Sequence, residues 1–314
     1  MILVTGGAGF IGSHLVDGLL NRGEEILCLD DFNDFYDPAI KRRNIALHLK
    51  SAKYRLVEAD IRDVERLRHL FDEFSMNKIV HLAARAGVRP SLDQPLLYED
   101  VNVRGTLHLL DLARQHEVEQ FVFASSSSVY GAHTSVPFRE DERIDRTVSP
   151  YAATKYSGEL MCYTYHHLYG IPTTCLRFFT TYGPRQRPEM AIHKFTRQIY
   201  SNKPVPMYGD GSTARDYTYI DDIIQGVVAA LDHPFPFEVF NLGESRTVRL
   251  QDLIRLVEKI SGRAAQIESH PLQPGDVEIT YADISKARRL LGYNPATPVE
   301  EGLAAFIEWF EASL

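Results

Sequence analysis

Tyr151 and Lys155 close the stretch Tyr151-Ala152-Ala153-Thr154-Lys155. Four residues apart on a helix, they share one face. A phenol ordinarily ionises near pH 10, too high for a base at neutral pH. An ammonium beside it favours the phenolate, and a cationic nicotinamide adds to the effect. A tyrosine lowered in this way can take the proton of an alcohol. Ser126, in the serine run 125–128, can hydrogen-bond the same hydroxyl. A second constellation opens the chain, where Gly6, Gly9 and Gly12 recur every third residue ahead of a helical pattern that starts at Phe10 and Ile11. Gly6 allows a tight turn, Gly9 lets a pyrophosphate approach the backbone, and Gly12 lets the helix pack close to a strand. The helix start directs free N–H groups and a partial positive charge at that anion. After the apolar Ile26-Leu27-Cys28-Leu29 comes Asp30, an acid about 20 residues on that can bind adenosine ribose hydroxyls. Asp30 and Asp31 would repel a 2′-phosphate, which favours NAD over NADP.

These groups need a frame, and strand and helix patterns alternate to supply one. Strands are predicted at 2–4, 26–29, 54–58, 78–82, 120–124 and 173–177, with long helices at 96–115 and 151–169. Such alternation implies an α/β fold with a doubly wound parallel sheet. Ligands then sit beyond the carboxyl ends of the strands, where the glycines, Asp30, Asp60, Ala83, Ala84 and the serines fall. After Arg177 Gly and Pro punctuate the chain and the helical patterns shorten. We therefore expect a first domain at 1–178 and a smaller α/β second domain at 179–314. Segment 220–242, a helix followed by strand-like Glu238-Val239-Phe240, could return to the first.

The net charge of −8 argues against nucleic acid as a partner, and means that an anionic ligand needs locally placed arginines. No apolar run reaches the roughly 18 residues of a membrane span. The chain begins directly in a strand without a basic leader, and Cys28, Cys162 and Cys175 are scattered among apolar neighbours. Reduced thiols and a cytoplasmic location are expected. The histidines show no metal spacing, so no metal is expected.

Taken together these motifs resemble the extended short-chain dehydrogenase/reductase family, of the nucleotide-sugar epimerase type. The resemblance spans nearly the whole chain: the glycine motif at 5–12, Asp30, Asp60-Ile61, His81-Leu82-Ala83-Ala84, Asn102, the stretch 125–131, Tyr151 with Lys155, and Arg215-Asp216-Tyr217. It implies a Rossmann-like domain holding NAD and a C-terminal domain holding a nucleotide-activated sugar. By that resemblance Asp60 and Ile61 lie near adenine, and Ala83 and Ala84 near the diphosphate and ribose. Lys155 contacts the nicotinamide ribose and Arg215 the substrate diphosphate. Asn102 matches a cofactor-side asparagine or is a buried helix-stabilising amide. The helices at 96–115 and 151–169 imply a homodimer.

Dehydratases of the family carry an Asp-Glu pair where this chain has Ser127 and Ser128. What remains is 4-epimerisation: oxidation at C4, rotation of the ketone, and hydride return to the other face, with Tyr151 taking and returning the hydroxyl proton. Stretches 84–89 and 177–188 resemble UDP-glucuronate 4-epimerases, whereas UDP-galactose 4-epimerases place asparagine where Thr180 stands. A sugar carboxylate needs charge-assisted donors. Thr180 and Arg187 are the best candidates, with Arg89 and Arg185 as alternates and Ser126, Ser127 and Ser128 beside the sugar. Met190 and Met207 resemble residues closing over the uracil. Asp276 is expected at a ribose hydroxyl, and Gln273 stands where many relatives carry arginine. Epimerisation of UDP-galactose or a UDP-N-acetylhexosamine is the runner-up; a non-catalytic NAD-binding protein on the same fold is a third reading.

Overall fold

The structure, a computed structural model, describes residues 1–132, 135–272 and 277–314. Gln273 and Asp276, expected at the uridine, lie outside the described residues. Seven strands form one sheet: β1 (Ile2–Thr5), β2 (Ile26–Asp30), β3 (Tyr54–Glu58), β4 (Lys78–His81), β5 (Gln120–Ser126), β6 (Thr173–Phe178) and β7 (Phe237–Leu242). Every pairing is parallel, in the order β7-β6-β5-β4-β1-β2-β3. The chain builds outward from β1 to β3, then returns to lay β4 on the other side of β1. That reversal opens a crevice at the strands' carboxyl ends, where α/β sheets bind ligands.

The apolar strands are buried because both faces are covered. Alternate residues Ile2, Val4, Ile26 and Cys28 face α1 (Phe10–Asn21), through Leu15, Val16 and Leu19. Leu3, Leu27 and Leu29 face the opposite layer, which holds α2 (Gly105–Gln115) and α3 (Pro150–Tyr169). Helix α4 (Ile220–Asp232) packs on the α1 side with Ile223, Val227 and Ala230. Helix α4 and strand β7 thus join the sheet built from 1–178, and so does the helix Ser285–Leu291, through Ala287 and Leu291. A further core is made of later residues alone, among them Tyr182, Phe195, Val257 and Phe306. Thr180–Tyr182 pairs in parallel with Tyr217–Tyr219, and Ala214–Arg215 pairs antiparallel with Val248–Arg249.

Two elements differ from expectation. The helix expected over 96–115 is three pieces: a helix Pro95–Glu99, a π-helical turn Asp100–Arg104, and α2. Strand β5 runs two residues beyond 120–124, because Ser125 and Ser126 keep pairing with Arg177 and Phe178. Ladder pairing overrides the weak strand preference of serine. Among the described residues no helix is long and apolar enough to cross a membrane.

Candidate active site

A cleft of about 680 Å³ lies at the carboxyl ends of the strands. Most of the expected site residues line it: Gly6, Gly9, Phe10, Ile11, Gly12, Asp30, Asp60, Ile61, Ala83, Ala84, Arg89, Ser126, Ser127, Ser128, Tyr151, Lys155, Thr180, Arg187 and Met190. Asn102, Met207 and Arg215 are not in that lining. A larger, open groove of about 1080 Å³ beside 209–214 and 247–259 holds none of the nineteen residues just named.

At one end the turn after β1 meets the loop after β4. Gly6 has φ +70°, and a Cβ there would sit 2.8 Å from the Ala83 nitrogen. A Cβ at Gly12 would strike the Gly6 carbonyl, so α1 can begin against the turn only with glycine. No side chain caps the start of α1, which leaves its N–H groups for an anion. Asp30 is buried; Oδ1 accepts from Lys41 Nζ at 2.8 Å and Phe32 N at 3.0 Å, and Oδ2 accepts from Ala8 N at 3.2 Å. A glycine-lined floor, an uncapped helix start and an oriented carboxylate fit a dinucleotide. Asp60 is gripped by Arg62, which also binds Asp100 at 2.9 Å. Although burial pushes the Asp60 carboxyl upward, the Arg62 hydrogen bonds hold it below the ordinary value.

Asn102 sits in the π-helical turn behind this floor. Its Oδ1 accepts from Arg85 N at 2.8 Å, and its Nδ2 donates to Arg85 O at 2.9 Å and Thr154 Oγ1 at 3.0 Å. Both ends of the amide are engaged, so Asn102 fastens the loop after β4 to α3 rather than facing the cleft. A π turn re-aims one side chain within a helix; no apolar periodicity announces it.

At the other end α3 brings Tyr151 and Lys155 to the tip of β5. The helix starts where Ser149 Oγ accepts from Ala152 N at 3.1 Å, with Pro150 in its first turn. Ser126 stands beside the Tyr151 phenol and favours its ionised form. Lys155 Nζ donates to Ala124 O at 2.8 Å and stands 5.1 Å from the centre of the Phe123 ring. Burial lowers the Lys155 ammonium to about 8. Burial also raises the Tyr151 phenol, opposed by Ser126 and the field of Arg187. The sequence expectation of a lowered phenol is therefore not met by the protein alone: desolvation outweighs the neighbouring cations, and the cation acting on the phenol is Arg187. Tyr98 packs edge-on to Tyr151, ring centres 6.2 Å apart, its own hydroxyl donating to Ala86 O at 2.8 Å.

Across the cleft, Thr180 follows β6 and its N–H donates to Asp216 O at 3.0 Å. Arg187 Nε lies 3.0 Å from Glu189 Oε1 and its guanidinium lies 5.7 Å from the Phe35 ring centre. Of the alternates, Arg185 is committed to Asp17 of α1 at 2.7 Å, and exposed Arg89 lies 4.7 Å from the Tyr208 ring centre. Arg215 donates to the carbonyls of Ala214 (2.9 Å) and Glu278 (3.3 Å). Its neighbour Asp216 is buried and accepts from Glu244 N, Ser245 N, Ala282 N and Thr218 Oγ1 at 2.8–3.1 Å; burial raises it to about 6. It is a structural hub. Sequence reasoning missed Lys41, Tyr36 and Glu189 in the cleft lining, as well as Tyr98 behind Tyr151. The separation of 11 residues between Asp30 and Lys41 belongs to no motif. Among the described residues no three His, Cys, Asp or Glu side chains converge as a metal site.

The sequence pattern of the GDP-mannose 4,6 dehydratase family matches residues 3–306. The UDP-glucuronate 4-epimerase of Thermodesulfobacterium geofontis (strain OPF15) is 43% identical over 313 residues, 99% of this chain and 96% of that protein. The UDP-glucuronic acid 4-epimerase of Bacillus cereus, solved in complex with UDP-glucuronic acid and NAD, matches with a TM-score of 0.93 at 38% identity, over 100% of this chain and 99% of that one. The UDP-glucose 4-epimerase of Thermotoga maritima, solved with UDP-glucose, matches with a TM-score of 0.92 at 33% identity, over 99% of each chain. With the glycine turn, the Tyr151–Lys155 pair and the parallel sheet in place, this chain belongs to the GDP-mannose 4,6 dehydratase family, among the extended short-chain dehydrogenases/reductases of the nucleotide-sugar epimerase type.

Proposed function

We propose that this chain interconverts UDP-glucuronate and UDP-galacturonate. The class is that of an NAD-dependent UDP-sugar 4-epimerase, an isomerase. The observation that carries the uronate reading is Arg187: a guanidinium lining the cleft with Thr180, its field reaching Tyr151. A sugar carboxylate would use a cation there as a charge-assisted partner. Ser127 and Ser128 line the same cleft where a dehydratase of this family needs an acid and a base.

Gly6, Gly9, the start of α1, Asp30, Asp60, Ile61, Ala83 and Ala84 would hold NAD, with Lys155 at its nicotinamide ribose and Asn102 bracing the loop from behind. The chemistry a bound NAD supplies is reversible hydride transfer at C4 of the sugar. Tyr151 takes the C4 hydroxyl proton and later returns it, while Ser126 hydrogen-bonds the same oxygen. Lys155, kept charged below about pH 8, stabilises the phenolate. Met190, Met207, Arg215 and Asp276 would hold the UDP portion. Residues 1–178 with 220–242 and the helix Ser285–Leu291 would form the cofactor domain, and the core around Tyr182, Phe195, Val257 and Phe306 the sugar domain. Exposed Leu96, Leu160, Tyr163, Leu168 and Tyr169 on Pro95–Glu99 and α3 are the surface of a homodimer. The three free, buried cysteines suit the reducing cytoplasm.

The uronate poses a chemical problem that Arg187 and Thr180 address. Oxidation at C4 makes a β-keto acid, which loses CO₂ when the carboxyl bond aligns with the ketone π system. Two donors on the carboxylate hold it out of that alignment. Incubation with UDP-glucuronate and no added cofactor, followed by NMR of the sugar, is expected to yield UDP-galacturonate. Turnover of UDP-glucose in its place would overturn the reading. Arg187→Ala is expected to weaken UDP-glucuronate binding and release pentose product; an unchanged product mixture with unchanged affinity removes Arg187 from this role.

A further inference from the structure

Three consecutive residues of β5 each hold one residue of α3. The Ala124 carbonyl accepts from Lys155 Nζ at 2.8 Å, the Ser125 hydroxyl donates to Glu159, and Ser126 stands beside the Tyr151 phenol. Tyr151, Lys155 and Glu159 are spaced by four, so they form one line down the helix face. The third rung differs from the other two. The Glu159 carboxylate is also bound from two sides by Arg177 at the end of β6, through Nε at 2.9 Å and the second nitrogen at 2.7 Å. Both side chains are 5% exposed. Arg177 continues to the Tyr130 hydroxyl at 3.0 Å, which donates to Asn241 Oδ1 on β7 at 2.7 Å. Glu159 is thereby tied to three neighbouring strands, yet Glu159, Arg177, Tyr130 and Asn241 lie outside the cleft lining.

Apolar packing would bury α3 as well, and a buried ion pair is often no more stabilising than the apolar residues that could replace it. What packing lacks is direction. Gly158 brings α3 so close to β5 that a Cβ there would strike the Phe123 ring, but closeness alone does not stop a helix from sliding. A slide of about 1.5 Å, one residue's rise, would part Tyr151 from Ser126 and Lys155 from Ala124. A bidentate guanidinium–carboxylate contact fixes both distance and orientation.

We infer that Glu159 is a positioning residue for Tyr151 and Lys155: held by Arg177 and Ser125, it sets where α3 stands along β5, so that the two rungs at the cleft can form. The inference rests on reading Tyr151 and Lys155 as the groups that do the chemistry.

The test uses the NAD-loaded enzyme and whichever UDP-sugar it turns over. Glu159→Leu combined with Arg177→Met replaces the pair with apolar residues of similar size and leaves no buried lone charge. This variant is expected to fold, with kcat reduced at least about tenfold, since a misplacement of about 1 Å can cost about a hundredfold, and with KM within about twofold. A folded double variant with parental kcat, or with a change in KM alone, overturns the inference. If the double variant fails to fold, Ser125→Ala, which leaves the ion pair in place, decides by the same kcat-against-KM split. Tyr151→Phe separates the two levels. If it stays active, the underlying reading fails; if it is inactive while the double variant turns over normally, only the positioning role fails.

Discussion

The two ends of the cleft treat buried charge in opposite ways. Asp30 and Lys155 are almost equally buried, 3% and 4% exposed. Asp30 is met by the Lys41 ammonium and two backbone N–H groups. Lys155 has one neutral carbonyl and a ring face, and its ammonium falls to about 8. Tyr151 beside it is raised by burial as well. The recognition end is thus electrostatically complete before any ligand arrives. The chemical end is left short by one negative charge, which in the proposed mechanism a Tyr151 phenolate would supply. Burial disfavours the Lys155 ammonium and the Tyr151 phenolate alike, so this end is unfavourable at rest.

Replacing Lys155 is the strongest way to break that contrast. In the unfolded chain its ammonium titrates near 10.5, and in the folded chain near 8. Between those values the unfolded chain binds more protons, so stability of the cofactor-free protein rises with pH across that window and is lowest below it. Lys155→Met removes the penalty. It is expected to raise the melting temperature at pH 7 by roughly 3–6 °C, flatten the rise between pH 8 and 10.5, and lower kcat about a hundredfold or more. Melting curves across pH with a turnover assay check both halves. A variant that is less stable at pH 7 than the parent would mean that Lys155 is not a lone buried charge.

At the other end the same change has the opposite sign. Lys41→Met leaves the Asp30 carboxylate buried with only N–H partners, and Lys41 also stands 3.7 Å from Asp31. The variant is expected to be less stable. It is expected to hold NAD about tenfold more weakly, by the order of one lost charge-assisted contact, with kcat at saturating NAD within about twofold. Calorimetric titration of NAD into stripped protein reads the affinity. Unchanged affinity would remove Lys41 from the recognition end.

The same division governs what could be read from the sequence. The dinucleotide floor was legible because it rests on backbone: Gly6 turns at φ +70°, Gly12 is needed by contacts with Gly6 and Gly7, and β1, β2 and Asp30 follow in order. Tyr151 and Lys155 were legible because helical spacing puts them on one face. Lys41, Tyr98 and Glu159 were not, because each finds its partner through tertiary packing that no local period encodes. The upward push of burial on the Tyr151 phenol in the cofactor-free protein was not legible for a related reason. Spacing gives the neighbour but not the desolvation, and here desolvation is larger. The π-helical turn Asp100–Arg104 within the expected 96–115 helix carries Asn102, which bonds the backbone of Arg85 in the loop after β4, a contact that no helical period encodes.

The smallest expected effect lies where the two ends meet, at Arg187. Its ion pair with Glu189 is partly open to solvent, the two side chains 21% and 40% exposed. Such pairs contribute only about 0–1 kcal/mol. Glu189 is nevertheless a carboxylate already held by the guanidinium proposed to hold the carboxylate of the sugar. The two compete, and an internal rival of so little strength can weaken uronate binding by no more than about fivefold. Glu189→Gln keeps the side chain's shape and removes its charge. The KM for UDP-glucuronate should fall two- to threefold, within that ~fivefold bound, with kcat unchanged and with no change in the KM for UDP-glucose. Because the pair is exposed, the gain should shrink at about 1 M salt, where the screening length is roughly 3 Å. A KM that falls equally for both sugars would show that Glu189 acts on the nucleotide portion they share, and would detach Arg187 from the carboxylate.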